Sequence, residues 1–317
     1  MRAWVKRNRP VALRGAGTLL AIILLIVLLY QSGWGDIWAA VRRVSVLNLA
    51  MALGCIMLSR LFITARWHVL LRSGGVQIPF KDTASLVFTG LFANNFLPTT
   101  VGGDVIRLAG AIQMGHDRAI CLASIAADRV VNMVGMSLAA PLGLWQLFIL
   151  PTIGYQLGGM QSVALGSLWK KGWDFLLRTL ESFTIWIKKP SALLMALGFA
   201  LIHMLFSFSA NYILIQGLGE SLALWKVIGL FSLAYFVSLI PISINGYGVQ
   251  ELTVTFLLSQ FGGISLPVSA TVAVLHRMLM VLVSLPGAIT LPAVMAAMDR
   301  SNTVPPTKYT GSETDKA

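Results

Sequence analysis

The chain has 317 residues, of which 56% are hydrophobic and only 11% charged, against roughly 25% charged in an average soluble domain. This excludes a soluble globular protein and selects an all-α polytopic membrane protein. The net charge of +12 sits mainly in short loops and ends, where Lys and Arg act as topology signals and meet anionic lipid headgroups, so it does not indicate a nucleic-acid partner. Cys55 and Cys121 lie in apolar runs without metal-ligand spacing and read as small buried side chains.

Residues 1–14 form a basic N-terminus with Arg2, Lys6, Arg7, Arg9 and Arg14. The apolar run that follows imitates a secretory signal peptide. It has no clear cleavage site and further spans follow it, so it reads as an uncleaved first span over 15–31, with the N-terminus cytoplasmic. Residues 32–45 carry Trp34, Trp38, Arg42 and Arg43, as an interfacial helix does. A second span covers 46–65 and contains Arg60; Arg66, Trp67, Arg72 and Lys81 after it read as a cytoplasmic loop.

The segment 84–97 is too short for a full crossing of ~20 residues before it meets Pro98. It reads as a re-entrant half-helix that returns through 104–114. The run 119–160 is long enough to cross twice, with a turn at Pro141-Leu142-Gly143. Residues 161–189 then form a cytoplasmic amphipathic linker that alternates Trp, Phe and Leu with bases. A further span covers 192–217, with His203, Ser207 and Asn211 on one face, and a polar stripe on a membrane helix faces the bundle interior. Residues 222–240 and 249–261 flank a second break and read as a second re-entrant pair. The last span covers 267–297 with His276 and Arg277, and 298–317 is a polar, disordered tail. The count is six full spans plus two re-entrant pairs. The first half (15–160) and the second (190–297) then form an inverted repeat that brings the two breaks together at mid-membrane.

Those breaks carry the functional signal. The first is Asn94-Asn95-Phe96-Leu97-Pro98-Thr99-Thr100-Val101-Gly102-Gly103-Asp104, with Arg107 three residues on. The second is Pro241-Ile242-Ser243-Ile244-Asn245-Gly246-Tyr247-Gly248, followed by Glu251. Laying Pro98 on Pro241 puts Thr100 on Ser243 and Gly103 on Gly246. Interrupted backbone at membrane depth survives only inside protein or around a cavity, and matched interruptions in two halves mark a transporter-like site. Charges cluster nearby: Asp104, Arg107, Asp128, Arg129, Glu251, Arg60 and Arg277. Each costs roughly 2.5–3.5 kcal/mol at a helix centre on insertion scales and therefore needs a partner or a wet cavity. Asp104 and Arg107 are spaced to meet on one helical face. Asp128 and Arg129 point about 100° apart, so each needs its own partner: Arg60 or Arg277 for Asp128, Glu251 for Arg129, with Arg107 a second option for Glu251. The plainer reading of these charges is helix packing. That of Gly102, Gly103, Gly246 and Gly248 is also tight packing, and that of Asn94 and Asn95 is hydrogen bonding to the broken backbone.

No HExxH, GxSxG, Walker A or paired Asp-rich diphosphate motif is present. The four histidines are scattered, so no metal site or cofactor is expected, and the chain does not read as an enzyme.

Further pieces lie along the chain in a fixed order: Ala65-Arg66-Trp67, Ala127-Asp128-Arg129, Asn211-Tyr212, and Arg277 through Pro286-Gly287. With the two break motifs between them, the sequence resembles the lysylphosphatidylglycerol synthase transmembrane-region family, also described as a flippase-like domain. The resemblance runs over about 15–297. It implies a membrane domain that moves or presents lipids. In one member of that family the domain is joined to a soluble aminoacyl-transferase and flips lysyl-phosphatidylglycerol, while archaeal relatives are associated with dolichol-phosphate-sugar handling. The stretch after 297 is too short for a transferase, so synthase activity is not expected to carry over, nor is substrate choice.

The leading expectation is a flippase or transporter of a phosphate-bearing lipid, of phospholipid, aminoacyl-phospholipid or polyprenyl-phosphate type, in the bacterial inner membrane or its archaeal counterpart, with both termini cytoplasmic. Arg107, Arg129 and Arg277 would attract a phosphate. Asp104, Asp128 and Glu251 would balance them or take a cationic headgroup. Thr99, Thr100, Ser243 and Asn245 would supply neutral hydrogen bonds. The partners expected are membrane lipids with anionic headgroups. Two alternatives stay open. One is a headgroup transferase using Asp104 or Glu251. The other is a non-catalytic partner that recruits a lipid-modifying enzyme through 169–189.

Overall fold

The computed structural model describes residues 23, 42, 44–97, 102–149, 189–239 and 246–292. Apart from residues 23, 42, 44, 45 and 189, the expected first span, the interfacial segment, the amphipathic linker and the tail lie outside these, as do Pro98, Thr99, Thr100, Ser243 and Asn245. The described chain is all helical: α1 Val46–Ser73, α2 Phe80–Ala93, α3 Gly102–Gln113, α4 Arg118–Ile149, α5 Pro190–Gly217, α6 Leu224–Ser238, α7 Val249–Gln260 and α8 Leu266–Ser284. Helical backbone resumes over 286–292. Among the described residues, α1, α4, α5 and α8 are long and apolar enough to cross a membrane. The half-helices α2, α3, α6 and α7 stand on either side of the two breaks, as their lengths predict.

Helix α1 begins at Ser45, whose hydroxyl accepts the Asn48 amide hydrogen bond at 3.1 Å and satisfies one of the helix's free donors. It runs on to Ser73, not to residue 65. The expected loop at Arg66 and Trp67 is therefore corrected: both side chains are buried in the bundle. Trp67 donates its Nε1–H to Ser124 on α4 at 3.1 Å, and Arg66 finds a carboxylate there. A buried helix keeps polar groups where it can pair them, and these two are paired. Along its length α1 packs most extensively on α5. Phe62 stacks on Phe206 at 5.6 Å, and Ser59 Oγ meets His203 Nδ1 at 2.6 Å.

The expectation that 119–160 turns at Pro141-Leu142-Gly143 is also corrected. Helix α4 continues through Pro141 to Ile149. Gly143 is there for helix contact: a Cβ on it would run into the Gly229 carbonyl of α6, and a Cβ on Gly229 would meet the Gly143 backbone. Gln146 donates to the Leu142 carbonyl at 3.0 Å and to the Lys226 carbonyl at 3.3 Å, tying α4 to the start of α6. The pair of crossings assumed for this run is thus one helix as far as 149, and the inverted topology that required the second crossing now depends on residues outside those described.

The main hydrophobic core lies among α1, α5, α6, α7 and α8, with Ile56, Leu214, Leu230, Leu258 and Val272 fully buried. A second core under α2, α3 and α4 holds Trp67, Leu86, Val87 and Cys121. The outer surface still carries large apolar side chains such as Leu47, Leu138, Trp145, Leu194 and Met278. That is the expected surface of a bundle solvated by lipid, where apolar groups gain nothing by turning inward.

Candidate functional site

The first break is built around Asn94. Its Oδ1 accepts the Gly103 amide hydrogen bond at 2.6 Å, so this side chain satisfies a free donor at the start of α3. The Gly103 backbone lies against the Gly90 carbonyl of α2, and a Cβ on either glycine would intrude on the other's helix. Asn94 and Gly103 thus make the local contact expected of broken backbone, and both also line the cavity described below. They hold α2 and α3 together and thereby aim the face of α3 that bears Asp104 and Arg107.

From that face an ion-pair network extends across three helices. Arg107 Nη1 donates to Asp104 at 3.0 Å and its Nη2 lies 3.3 Å from Asp128 of α4. Arg66 Nε donates to the other Asp128 oxygen at 2.7 Å, and Arg129 Nε reaches the second Asp104 oxygen at 2.5 Å. Arg66 also donates to Asn132 Oδ1 at 2.7 Å, and Asn132 donates in turn to the Tyr235 hydroxyl of α6 at 3.0 Å. The Arg107 guanidinium lies over the Trp67 ring, 4.1 Å from its centroid. The expected partners for Asp128, Arg60 or Arg277, are therefore replaced by Arg66 and Arg107; Arg129 is paired with Asp104 instead of Glu251.

The second break ends in a different device. Gly246 and Gly248 have φ of +72° and +77°, a left-handed conformation that side chains disfavour. The Gly248 amide donates to Glu251 Oε2 at 2.8 Å, so Glu251 caps the helix it stands in. The other Glu251 oxygen accepts from Arg277 Nε of α8. Arg277 also donates to Gln250 at 2.9 Å and lies 4.7 Å from the Tyr247 ring centroid.

Asn95 joins the two breaks. Its Oδ1 accepts from the Tyr247 hydroxyl at 3.2 Å and its Nδ2 donates to Ser284 of α8 at 2.9 Å. Between the breaks is a cavity of about 430 Å³. Asn94, Asn95, Gly103, Asp104, Arg107, Asp128, Arg129, Gly246 and Arg277 line it; Gly102, Gly248 and Glu251 do not. Arg60, Arg66, Asn132, Tyr235 and Gln250 also line it, as do all three members of the α5 stripe, His203, Ser207 and Asn211. Five arginines line it, Arg60, Arg66, Arg107, Arg129 and Arg277, against Asp104 and Asp128; with Glu251, the partner of Arg277, counted as well, the formal excess is two positive charges. Three deeply buried polar atoms on cavity residues have no hydrogen-bond partner: Arg107 Nε, Asn211 Oδ1 and His276 Nδ1.

Arg66 is the principal residue the sequence reading passed over. Its signal was available, because the apolar run around it does not stop at 65 but continues through Val69, Leu70 and Leu71. Asn132 also had one, standing four residues after Asp128 on the same helical face. Tyr235 and Gln250 had none. Among the described residues no cluster of side chains is suited to hold a metal ion.

No curated protein matches this sequence. The model of a family described as Lysylphosphatidylglycerol synthase TM region matches residues 15–287, which takes in α1 to α8 and both breaks. This membrane chain belongs to the lysylphosphatidylglycerol synthase transmembrane-region family.

Proposed function

We propose that the chain is a flippase: it carries a phosphate-bearing lipid across the cell membrane, holding the headgroup in the cavity between the two breaks while the hydrocarbon tails remain in lipid. Family membership supports a role with membrane lipids. The observation that carries the finer reading is the surplus of arginine over carboxylate in a cavity formed where two interrupted segments meet. A guanidinium presents a planar fork of donors that matches phosphate oxygens. Interrupted backbone at such a place offers helix ends to a ligand. A carrier, and not an enzyme, fits best, because both oxygens of Asp104 and of Glu251 already accept a donor from the protein, which makes them poor bases for group transfer.

The test is translocation of headgroup-labelled phospholipid in proteoliposomes containing the purified protein. Arg107→Ala and Arg277→Ala are each expected to slow it about tenfold to a hundredfold, the weight of one charge-assisted contact, with thermal unfolding used to confirm that the variants are folded. Equal translocation by wild type, folded variants and protein-free vesicles would sink the proposal.

A further inference from the structure

The charges around the cavity are unevenly partnered, and the imbalance has a sign. Asp104, Asp128 and Glu251 have six carboxylate oxygens, and each of the six already accepts from a protein donor. Arg107 and Arg129 take the two of Asp104. Arg66 and Arg107 take those of Asp128. Arg277 and the Gly248 amide take those of Glu251. An ammonium group entering the cavity would meet carboxylates whose charge arginines already balance, in a cavity that carries an excess of positive charge. One of the cations is not balanced in the same way. Arg60 is a buried side chain on α1, 7% exposed, and among the described residues no carboxylate lies within ion-pair distance of it. The contact its Nη2 makes is with the Met280 sulfur of α8, a weak acceptor. Met280 stands one turn from His276, whose Nδ1 is buried without a partner. His203, bonded to Ser59 beside Arg60, and Asn211, with its own unpartnered Oδ1, complete a neutral wall. A guanidinium buried without a counter-charge is costly, and an arriving anion removes that cost.

We infer that the headgroup this cavity admits is a net-anionic phosphate bearing no ammonium group, and that Arg60 is the side chain that anchors it, an inference that rests on the lipid-translocation reading above. The remainder of a polar headgroup, such as hydroxyls, meets Asn211 and His276, which offer an acceptor and a ring nitrogen. Aminoacylated and ethanolamine headgroups are disfavoured, because each brings a cation to a cavity whose acids are already paired.

The experiment is native mass spectrometry of the purified full chain, offered four lipids of identical acyl chains: phosphatidic acid, phosphatidylglycerol, phosphatidylethanolamine and lysyl-phosphatidylglycerol. The two anionic lipids are expected to be retained about tenfold or more over the other two, the effect of one charge-assisted contact. Arg60→Gln should lower retention of the anionic pair about tenfold and leave the other two unchanged, while Arg60→Lys, which keeps the charge, should preserve the ranking. Retention of lysyl-phosphatidylglycerol equal to phosphatidylglycerol by the wild type overturns the inference, whether or not Arg60→Gln folds. Glycerol 3-phosphate is added as a soluble competitor. Displacement of lipid by it at equal concentration would assign the site to a free phosphate and overturn the lipid assignment. Translocation of the same lipids separates the two readings. Anion-selective binding without translocation defeats the flippase and leaves the headgroup rule standing; translocation of all four at one rate does the reverse.

Discussion

Asp128 shows why single residues matter here. Buried at 3% exposure, it lies between Arg66 and Arg107 and is the shared counter-charge of both. Asp128→Asn keeps the shape and removes the charge, leaving one buried guanidinium without a carboxylate and weakening the hold on the other. The expected cost is about 3–5 kcal/mol, the usual penalty for breaking a buried pair from one side. It should be read as a lowered Tm of the purified protein in detergent, and an unchanged Tm would show that the network is not structural. At this scale the sequence was partly legible. It announced that these charges needed partners, because their cost in an apolar run is intrinsic to the residue type. Of the pairings, only Asp104 with Arg107 could be read, because that one is set by helical spacing and the others by which helices pack together.

Between elements, glycine decides which helices approach closely. Gly103 and Gly90 press α3 against α2, whereas Gly54 on α1 faces open space. Gly103→Ala must force the two half-helices apart, since the obstacle is a backbone carbonyl and cannot rotate away. We expect a marked loss of folded yield on size-exclusion chromatography. Gly54→Ala should be neutral or raise stability by about 0.5–1 kcal/mol through helix propensity alone; similar behaviour of the two variants would refute the packing account. The half-helices were legible because their lengths fall short of a membrane and their interruptions carry Pro and Gly. The continuity of α4 was not. Pro141 and Gly143 are turn residues by local rule, and only the contact of Gly143 with Gly229 shows that this glycine serves a helix interface. The extension of α1 past residue 65 escaped for the same reason, since Arg66 looks like a loop residue until its partner on another helix is known.

At the scale of the whole molecule, the helical segment after α8 packs on α2, the half-helix that precedes the first break. Thr89 on α2 meets Thr290 in the helical segment after α8 through their hydroxyls, and Gly287 lies against the Phe88 carbonyl so closely that no Cβ fits there. In a chain with Cys55 and Cys121 replaced by Ala, the pair Thr89→Cys and Thr290→Cys is expected to become bridged under mild oxidation or by mercuric ion. Mass spectrometry after alkylation should then find both thiols blocked in most molecules. Two freely alkylated thiols would mean that these two segments do not meet. The amino-acid sequence by itself determined the membrane class, the positions of the two breaks and the need to pair the charges around them, because each follows from the free energy of a residue type or a segment length in hydrocarbon. The tertiary structure alone decided that the breaks share one cavity, that Arg66 belongs to it, that all three acids are already paired, and that Arg60 has no carboxylate among the described residues. Those facts depend on contacts between side chains far apart in the chain, and they are set by helix packing, not by any local preference.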